Sequence, residues 1–399
     1  MRSKEKDTKL KQSSQRQFLK QDATLDGLAA VKASLGYPSR RNLLKGLAAF
    51  GAGALLPRLP LWAQAPAPNV RAIDCHHHFA SPAYLKALAP KEGHIPRGFT
   101  SNMTWVHGTT MAEYSPAKDL EDMNQQGVAT AMVSCTTPGI WFGDPDETRF
   151  LARDMNEFGA KMMSDYKGRF GLFAVLPLPV IEASLREIEY ALDTLKADGV
   201  GILTSYGDHW LGDPIFRPVL DELNRRKAVV FVHPTDAPCC QELIPGVAAG
   251  TVEWNTDTAR TIFSLLANGA ATRYGDTRFI FSHGGGTMPS LVERFAIGGP
   301  DNVADNLART PEPNSRLYHL RRFHYDTAQS SNPVQMQGLK MIVGASQIVF
   351  GSDAIDPNVV NQMGKHIQGL QKCGFSTVEL EGIHRGNALR LFPRLSGNA

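Results

Sequence analysis

The chain has 399 residues, of which 42% are hydrophobic and 20% are charged, and its formal net charge is +3. This composition is typical of a soluble globular enzyme with one large domain or two ordinary ones. Much of the positive charge lies near the N-terminus, so the remainder gives no indication of a nucleic-acid-binding surface. The 5 cysteines have no regular spacing, which argues against a disulfide framework.

The first 65 residues are predicted to be a leader and not part of the fold. Ser39–Lys45 resembles a twin-arginine export signal, and the apolar stretch Gly46–Leu56 that follows is too short to span a bilayer. A small-x-small cleavage site lies at Ala63–Ala65. A leader that is simply amphipathic or disordered is the alternative. We therefore expect residues 66–399 to form the mature domain, exported folded by the twin-arginine machinery to a periplasmic or other extracytoplasmic location.

After the leader, apolar runs alternate with amphipathic segments. The runs predicted as strands are Val70–Phe79, Val128–Thr136, Phe170–Leu178, Gly199–Tyr206, Ala228–Pro234, Arg278–Gly284, Phe323–Thr327 and Gln347–Asp353. The predicted helices are Pro116–Gln126, Thr148–Tyr166, Glu182–Ala197, Pro214–Arg226, Asp257–Tyr274, Pro289–Phe295 and Asn332–Val343.

Several of these strands are continuously apolar, which indicates parallel strands buried on both faces. Eight strands that alternate with helices predict an α/β fold, the closed (β/α)8 or TIM barrel. A doubly wound open sheet is the alternative. It is disfavoured because no Gly-rich phosphate-binding loop follows the first strand.

Three consecutive histidines end the first predicted strand. Side chains alternate between the two faces of a strand, so His76 and His78 are predicted to share a face with Asp74, while His77 points the other way. Imidazoles combined with a carboxylate are a common ligand set for Zn²⁺ and related metals. Considered alone, a histidine-rich strand end without a metal is the alternative.

Further polar residues end three other predicted strands. His233 follows the fifth strand in V-H-P, His283 follows the sixth in S-H-G-G-G, and Asp353 follows the eighth in F-G-S-D. The C-terminal ends of barrel strands converge on the face that carries the active site. We therefore predict that these three residues meet His76 and His78 in one mouth of the barrel.

Together these motifs resemble the amidohydrolase superfamily, in particular its decarboxylase branch, typified by aminocarboxymuconate-semialdehyde decarboxylase. The sequence G-I-H-R-G-N-A-L-R-L-F at 382–392 is similar to the closing helix of that branch. The segments at 173–179 and 203–208 resemble bacterial proteins likened to 6-methylsalicylate decarboxylase. The resemblance covers residues 70–393 and implies the (β/α)8 barrel.

The resemblance also implies a ligand set for one divalent ion, with Zn²⁺ expected before Mn²⁺, and no organic cofactor. The implied ligands are His76, His78, His233 and Asp353, and His283 is implied as the general acid/base beside them. Either His283 or Asp353 could deliver the proton.

A single ion is favoured by an absence in the fourth strand. Binuclear members of the superfamily bridge two metals with a carboxylated lysine at the end of that strand. The corresponding segment here, Val200–Thr204, contains no lysine.

Two residues are candidates for substrate binding. The resemblance implies that Arg294 binds the substrate carboxylate across a dimer interface, and hence that the protein is a homodimer. The alternative for Arg294 is an ion pair with Glu293 or with another surface carboxylate. Trp254 belongs either to ordinary packing or to an aromatic floor beneath the substrate. The long segment Phe79–Met111 is predicted to be a lid or a pocket wall.

The expected activity is non-oxidative release of CO₂ from a small aromatic or enoic carboxylic acid. Candidate substrates are a hydroxybenzoate such as 6-methylsalicylate, and a compound like aminocarboxymuconate semialdehyde. One alternative is a mononuclear hydrolase of a lactone or amide, which would use the same ligands. Another is a non-catalytic metal-binding protein, which would have no need of an acid such as His283.

Overall fold

The computed structural model describes residues 70–91, 114–235, 237–241, 243–296, 307–354 and 362–398. All of them belong to the unit Ala65–Ala399. The predicted leader and most of the predicted lid at 79–111 lie outside the described residues, so both stay predictions. None of the described helices is long and apolar enough to cross a membrane.

Eight strands form one sheet in which every pair of neighbours is parallel. They are β1 (Ala72–His78), β2 (Val128–Ser134), β3 (Phe170–Val175), β4 (Gly199–Leu203), β7 (Val229–His233), β8 (Arg278–Phe281), β9 (His324–Asp326) and β10 (Ile348–Val349). The strand order is β1-β2-β3-β4-β7-β8-β9-β10. The short strands β5 (Ser205–Tyr206) and β6 (His209–Trp210) make a separate antiparallel hairpin.

Hydrogen bonds beyond the strand ladders bring the first and last strands together. Cys75 N donates to Phe350 O at 2.8 Å, and Asp353 N donates to His76 O at 2.9 Å. The nearly closed sheet confirms the predicted (β/α)8 barrel. The same two bonds fix Asp353 beside the histidines of β1.

Among the described residues, ten helices lie between successive strands on the outside of the barrel, and three more follow the last strand. They are α1 (Pro82–Leu88), α2 (Pro116–Gln126), α3 (Pro145–Asp165), α4 (Ile181–Glu189), α5 (Arg217–Arg225), α6 (Ala249–Ala267), α7 (Ala270–Arg273), α8 (Val292–Ala296), α9 (Arg316–Leu320), α10 (Pro333–Val343), α11 (Gln362–Gln371), α12 (Thr377–Glu381) and α13 (Asn387–Leu391). A π-helical segment, Gly382–Gly386, joins α12 to α13.

Local sequence explains the ends of these helices. Pro116 stands in the first turn of α2, where a missing N–H costs nothing, and Gly127 ends that helix with a left-handed φ of 83°. The side chain of Asp144 accepts hydrogen bonds from the first backbone N–H groups of α3. The helix predictions are therefore confirmed, with shifted ends.

All eight strands are shorter than the sequence predicts, and in two of them the structure shows what replaces the missing strand residues. β4 ends at Leu203, because Ser205 and Tyr206 pair with the hairpin strand β6 instead of with β7. β10 contains only two residues, and the backbone after it is held by single hydrogen bonds instead of a strand ladder. Phe350 N donates to Ile383 O at 2.9 Å, and Asp353 N donates to β1 as described above.

The interior of the barrel is filled by large apolar side chains. Ile73, Phe173, Phe231 and Ile280 are fully buried and form one cluster with Val349 and the C-terminal helix. The ring of Phe231 lies 5.0 Å from the ring of His76, centroid to centroid. The polar residues at the strand ends therefore rest on a closely packed apolar layer, which limits their movement.

Candidate metal centre

The strand ends bring four candidate metal ligands together. One ligand atom from each of His76, His78, His233 and Asp353 lies within 4.8 Å of all the others. The Nε2 atoms of His76 and His78 are 3.1 Å apart, and Asp353 Oδ1 is 3.1 Å from His78 Nε2. All four residues are buried. Three imidazoles and one carboxylate are a donor set that suits a divalent first-row metal ion.

The three imidazoles present the same nitrogen to this group. His76 Nδ1 donates to the carboxylate of Asp326 at 2.8 Å, and His233 Nδ1 donates to the carbonyl of Pro234 at 2.8 Å. His78 Nδ1 is 3.3 Å from the carbonyl oxygen of Ser134. A carbonyl or carboxylate can only accept, so these bonds place the hydrogen on Nδ1 and leave Nε2 available to a metal.

Burial and neighbouring charges shift the pKa values of the candidate histidine ligands in different directions. Burial, assisted by the neighbouring histidines, holds the pKa of His233 well below its usual value, so this imidazole is neutral. Burial also lowers the pKa of His78. Burial would lower the pKa of His76 too, but Asp326 and Asp353 outweigh it and raise that pKa to about 10. A metal ion would therefore compete with a proton for His76.

Asp353 is held in its anionic form. Burial by itself raises the pKa of a carboxyl group, but contacts with His76, His283 and His78 outweigh it and hold the pKa of Asp353 well below its usual value. Gln329 Nε2 also donates to Asp353 Oδ2 at 3.1 Å. The carboxylate therefore suits metal binding better than proton donation.

His283 lies beside the ligand group without belonging to it. Its Nε2 is 3.3 Å from Asp353 Oδ2, and its ring stacks on that of His76 with centroids 5.1 Å apart. Its Nδ1 is buried and has no hydrogen-bond partner within the described part of the chain. A buried imidazole nitrogen without a partner is unfavourable unless a ligand satisfies it.

Two site residues have strained backbones. The φ angles of His283 and Asp353 are both 55°, in the left-handed region that residues other than glycine seldom adopt. Hydrogen bonds hold both conformations: His283 N donates to Asp326 Oδ1 at 3.0 Å, and Asp353 N donates to His76 O. Such strain, about 1–3 kcal/mol per residue, is common at functional sites, where it directs side chains toward the chemistry.

Asp326, at the C-terminal end of β9, was not among the residues that the sequence suggested. Its Oδ2 accepts from His76 Nδ1, and its Oδ1 accepts from the backbone N–H groups of His283 and Ala328. This buried carboxylate therefore orients one candidate ligand and the candidate acid/base together. In the sequence, this role could have been inferred from the position of Asp326 near the end of the seventh predicted strand.

Asp74 does not lie on the same face as His76 and His78, so the predicted sharing of a face is wrong. The pairing of β1 with β2 shifts register between Asp74 and His77, which interrupts the alternation of side chains. The carboxylate of Asp74 instead accepts from Ser352 N at 3.0 Å and contacts His77 Nδ1 at 3.1 Å. His77 points away from the site, as predicted, and its Nε2 is 2.8 Å from Asp119 Oδ1 on α2.

The two predicted substrate-binding residues lie in different surroundings. Trp254, on α6, has its ring 6.4 Å from the ring of His233. Arg294, on α8, is exposed, and no ion pair joins it to Glu293 or to another carboxylate among the described residues. The structure therefore brings Trp254 to the edge of the site and leaves Arg294 on the surface of the chain.

Comparisons with known proteins agree with this geometry. The family model described as Amidohydrolase matches residues 73–394. The 6-methylsalicylic acid decarboxylase of Penicillium expansum is 34% identical over 331 residues, which cover 82% of this chain and 97% of that protein. That relative is a decarboxylase, which favours the predicted decarboxylase over the hydrolase alternative.

Two solved structures share the fold. A 2,6-dihydroxybenzoate decarboxylase complexed with 2,6-dihydroxybenzoate has a TM-score of 0.67 at 20% identity, covering 82% of this chain and 100% of the other. The 5-carboxyvanillate decarboxylase of Novosphingobium aromaticivorans, complexed with manganese and a nitrobenzoic acid, has a TM-score of 0.67 at 17% identity, covering 83% and 97%. With the family match over most of its length, the chain belongs to the amidohydrolase family.

Proposed function

We propose that the protein is a metal-dependent, non-oxidative decarboxylase that releases CO₂ from a small aromatic or enoic acid, with a hydroxybenzoate such as 6-methylsalicylate as the favoured substrate. The observation that carries this proposal is His283, a buried histidine with an unpartnered Nδ1 beside a complete set of ligand atoms. A metal-storage protein has no use for such a group, whereas proton transfer requires one. The decarboxylase relative supports the same assignment.

His283 and Asp353 have separate roles in this proposal. A metal ion bound by His76, His78, His233 and Asp353 would act as a Lewis acid on a substrate oxygen. His283 donates a proton to the ring carbon that carries the carboxylate, which forms the new C–H bond. The C–C bond to the carboxylate then breaks, its electron pair restores the aromatic ring, and CO₂ leaves. Asp353 is the poorer acid because its neighbours hold its pKa low.

One ion per chain is proposed, with Zn²⁺ as the first candidate. Imidazole nitrogen and carboxylate oxygen are both common zinc ligands. Manganese in the related 5-carboxyvanillate decarboxylase makes Mn²⁺ the second candidate. Elemental analysis of the purified protein should give one ion per chain, and two tightly held ions would contradict the assignment.

The reaction can be tested by incubating metal-reconstituted protein with carboxyl-labelled ¹³C hydroxybenzoates and related acids. Release of ¹³CO₂ with formation of the corresponding phenol supports the decarboxylase. In parallel, lactones and amides are offered in H₂¹⁸O. Uptake of ¹⁸O into their products, without CO₂ release from any acid, would favour the hydrolase instead.

The protein is further proposed to be a homodimer in which Arg294 serves the neighbouring subunit. Its exposure, with no carboxylate partner among the described residues, leaves the guanidinium available to an external carboxylate. Guanidinium binds carboxylate in a planar two-pronged geometry.

The export route is proposed from the leader sequence alone. Replacing Arg40 and Arg41 with lysine should retain the protein in the cytoplasm, since the export machinery recognises the pair of arginines. Cell fractionation that finds the double variant outside the cytoplasm would count against this route.

A further inference from the structure

A cavity of about 430 Å³ lies at the mouth of the barrel, at the C-terminal ends of β2, β3, β4 and β7. Cavities of this size at the C-terminal face of a barrel are where small molecules bind. The candidate metal ligands belong to β1, β7 and the segment after β10, and His283 follows β8. The cavity therefore occupies the other half of the same mouth.

The cavity borders the metal group on the side of His233. Leu203 in its wall is the register partner of His233. The hydroxyl groups of Thr137 and Thr235, both in the wall, are 3.2 Å apart. Thr136, the residue before Thr137, has its hydroxyl 3.3 Å from His233 Nε2. A ligand that contacts the metal group can therefore extend into this cavity.

The wall of the cavity is mainly apolar. Val175, Leu176, Ile202 and Phe142 contribute hydrocarbon surface, and no carboxylate side chain lines it among the described residues. The charged residue in the wall, Lys91, is engaged by Glu147, whose Oε1 lies 2.6 Å from Lys91 Nζ. Such a wall favours an apolar group and offers nothing to a second charged group of the ligand.

Gly201 enlarges this cavity because it has no side chain. It pairs with Val175 on one side and with Phe231 on the other, and Phe231 belongs to the interior of the barrel. An added Cβ would lie 3.5 Å from Phe173 Cβ and 3.7 Å from Ser134 Cβ, which are ordinary contacts. A side chain is therefore sterically possible at position 201, and because Gly201 lines the cavity, that side chain would take up part of its space.

We propose that Gly201 is a specificity-determining residue, which leaves space for an apolar substituent on the ring of the acid. This inference rests on the proposed function, because it assumes that the ligand is an aromatic acid held at the metal group. It predicts a preference for alkyl-substituted hydroxybenzoates over the unsubstituted compound.

The test compares wild-type protein with Gly201→Val, both loaded with metal, by calorimetric titration of 2-hydroxybenzoate and of its four derivatives that carry one methyl group on the ring. Valine is favoured in strands, so the variant should fold, which circular dichroism checks. A methyl group in an apolar pocket changes affinity by about 10- to 200-fold. The affinity of the variant for at least one methylated isomer should fall by that factor, while its affinity for 2-hydroxybenzoate stays unchanged.

A matched control introduces the same side chain elsewhere. Gly338 lies on α10, and an added Cβ there meets open space. Gly338→Val should retain the wild-type affinities for all five acids.

The outcomes separate this inference from the proposed function. Equal weakening of all five acids, or no change for any of them, would overturn the role of Gly201. Discrimination among the acids without CO₂ release by wild-type protein would contradict the decarboxylase and leave the role of Gly201 supported. If no acid binds to wild-type protein, both proposals are wrong.

Discussion

Asp326 contacts both a candidate metal ligand and the candidate acid/base. Asp326→Asn replaces one accepting oxygen with an amide nitrogen that cannot accept. Either His76 Nδ1 or the backbone N–H groups of His283 and Ala328 therefore lose their acceptor, which disturbs the orientation of the ligand. Loss of such a partner typically costs about 10- to 100-fold in metal affinity. Competition with a chromogenic chelator measures this effect. Asp221→Asn is the control, because Asp221 pairs with Arg273 on the surface, and it should keep the native affinity. An unchanged affinity in Asp326→Asn would contradict the orienting role.

His283 is expected to act in proton transfer and not in metal binding. His283→Ala should therefore keep the fold and the metal content while turnover falls by about 10²–10⁴-fold, the usual contribution of a general acid/base. Steady-state CO₂ release and elemental analysis on the same preparation check both parts. Near-native turnover would show that His283 is not the acid, and loss of the metal would show that it is a ligand.

The segment after β10 approaches β1 and β9 so closely that it requires glycine. A Cβ on Gly351 would lie 2.8 Å from His76 Cβ and 2.9 Å from Asp326 Cβ, inside normal contact distance. Gly351→Ala should therefore displace β10 or His76, with a loss of metal and a destabilisation of about 1–3 kcal/mol.

Urea unfolding and metal content test this prediction. Gly364→Ala on α11 is the control, since an added Cβ there lies 3.9 Å from Gln126 and alanine favours a helix. If Gly351→Ala binds metal as the wild type does, the close approach does not constrain the site.

The closing helical segment makes stability depend on pH. Burial lowers the pKa of His384 to about 4, and its Nε2 has no partner within the described part of the chain. The folded pKa lies below the unfolded value of about 6.5, so this stability is present above pH 6.5 and is lost as pH falls toward 4. His384 should therefore account for a loss of about 2 kcal/mol in the free energy of unfolding between pH 7.5 and pH 5.

Urea unfolding of His384→Gln at several pH values measures the contribution of His384 to the pH dependence of the free energy of unfolding. The variant should show a weaker decline toward acid pH, with some decline remaining because burial also lowers the pKa of His324 to about 4. His209→Gln, at an exposed site, is the control and should decline like the wild type. An identical pH profile for His384→Gln and wild type would contradict the assignment.

At the scale of the whole molecule, the proposed dimer predicts that Arg294 acts in the active site of the neighbouring subunit. Inactive Arg294→Ala chains mixed with inactive His283→Ala chains should recover part of the activity, because a heterodimer contains one site with both residues intact. Arg294→Lys should lose turnover but keep its metal, since lysine cannot form the two-pronged contact. No recovery despite demonstrated subunit exchange would place Arg294 in its own chain's site or outside the active site.

The sequence by itself determined the barrel and most of the candidate metal group. Continuous apolar strands separated by amphipathic helices admit few packings, and the closed barrel brings all strand ends to one face. Each of the five site residues lies at or just after the end of a strand, so their meeting follows from the topology. These residues are His76, His78, His233, His283 and Asp353. The family could be predicted for the same reason.

Only the tertiary structure decided how the surrounding groups divide their roles. A register shift in β1, invisible in a pattern of alternating residues, turns Asp74 toward Ser352 and away from the ligands. Asp326 became visible as an orienting residue only when β9 was placed between β8 and β10. The space beside Gly201 likewise depends on side chains from neighbouring strands. Periodicity along one strand specifies its faces, whereas hydrogen bonds and cavities between strands depend on residues far apart in the chain.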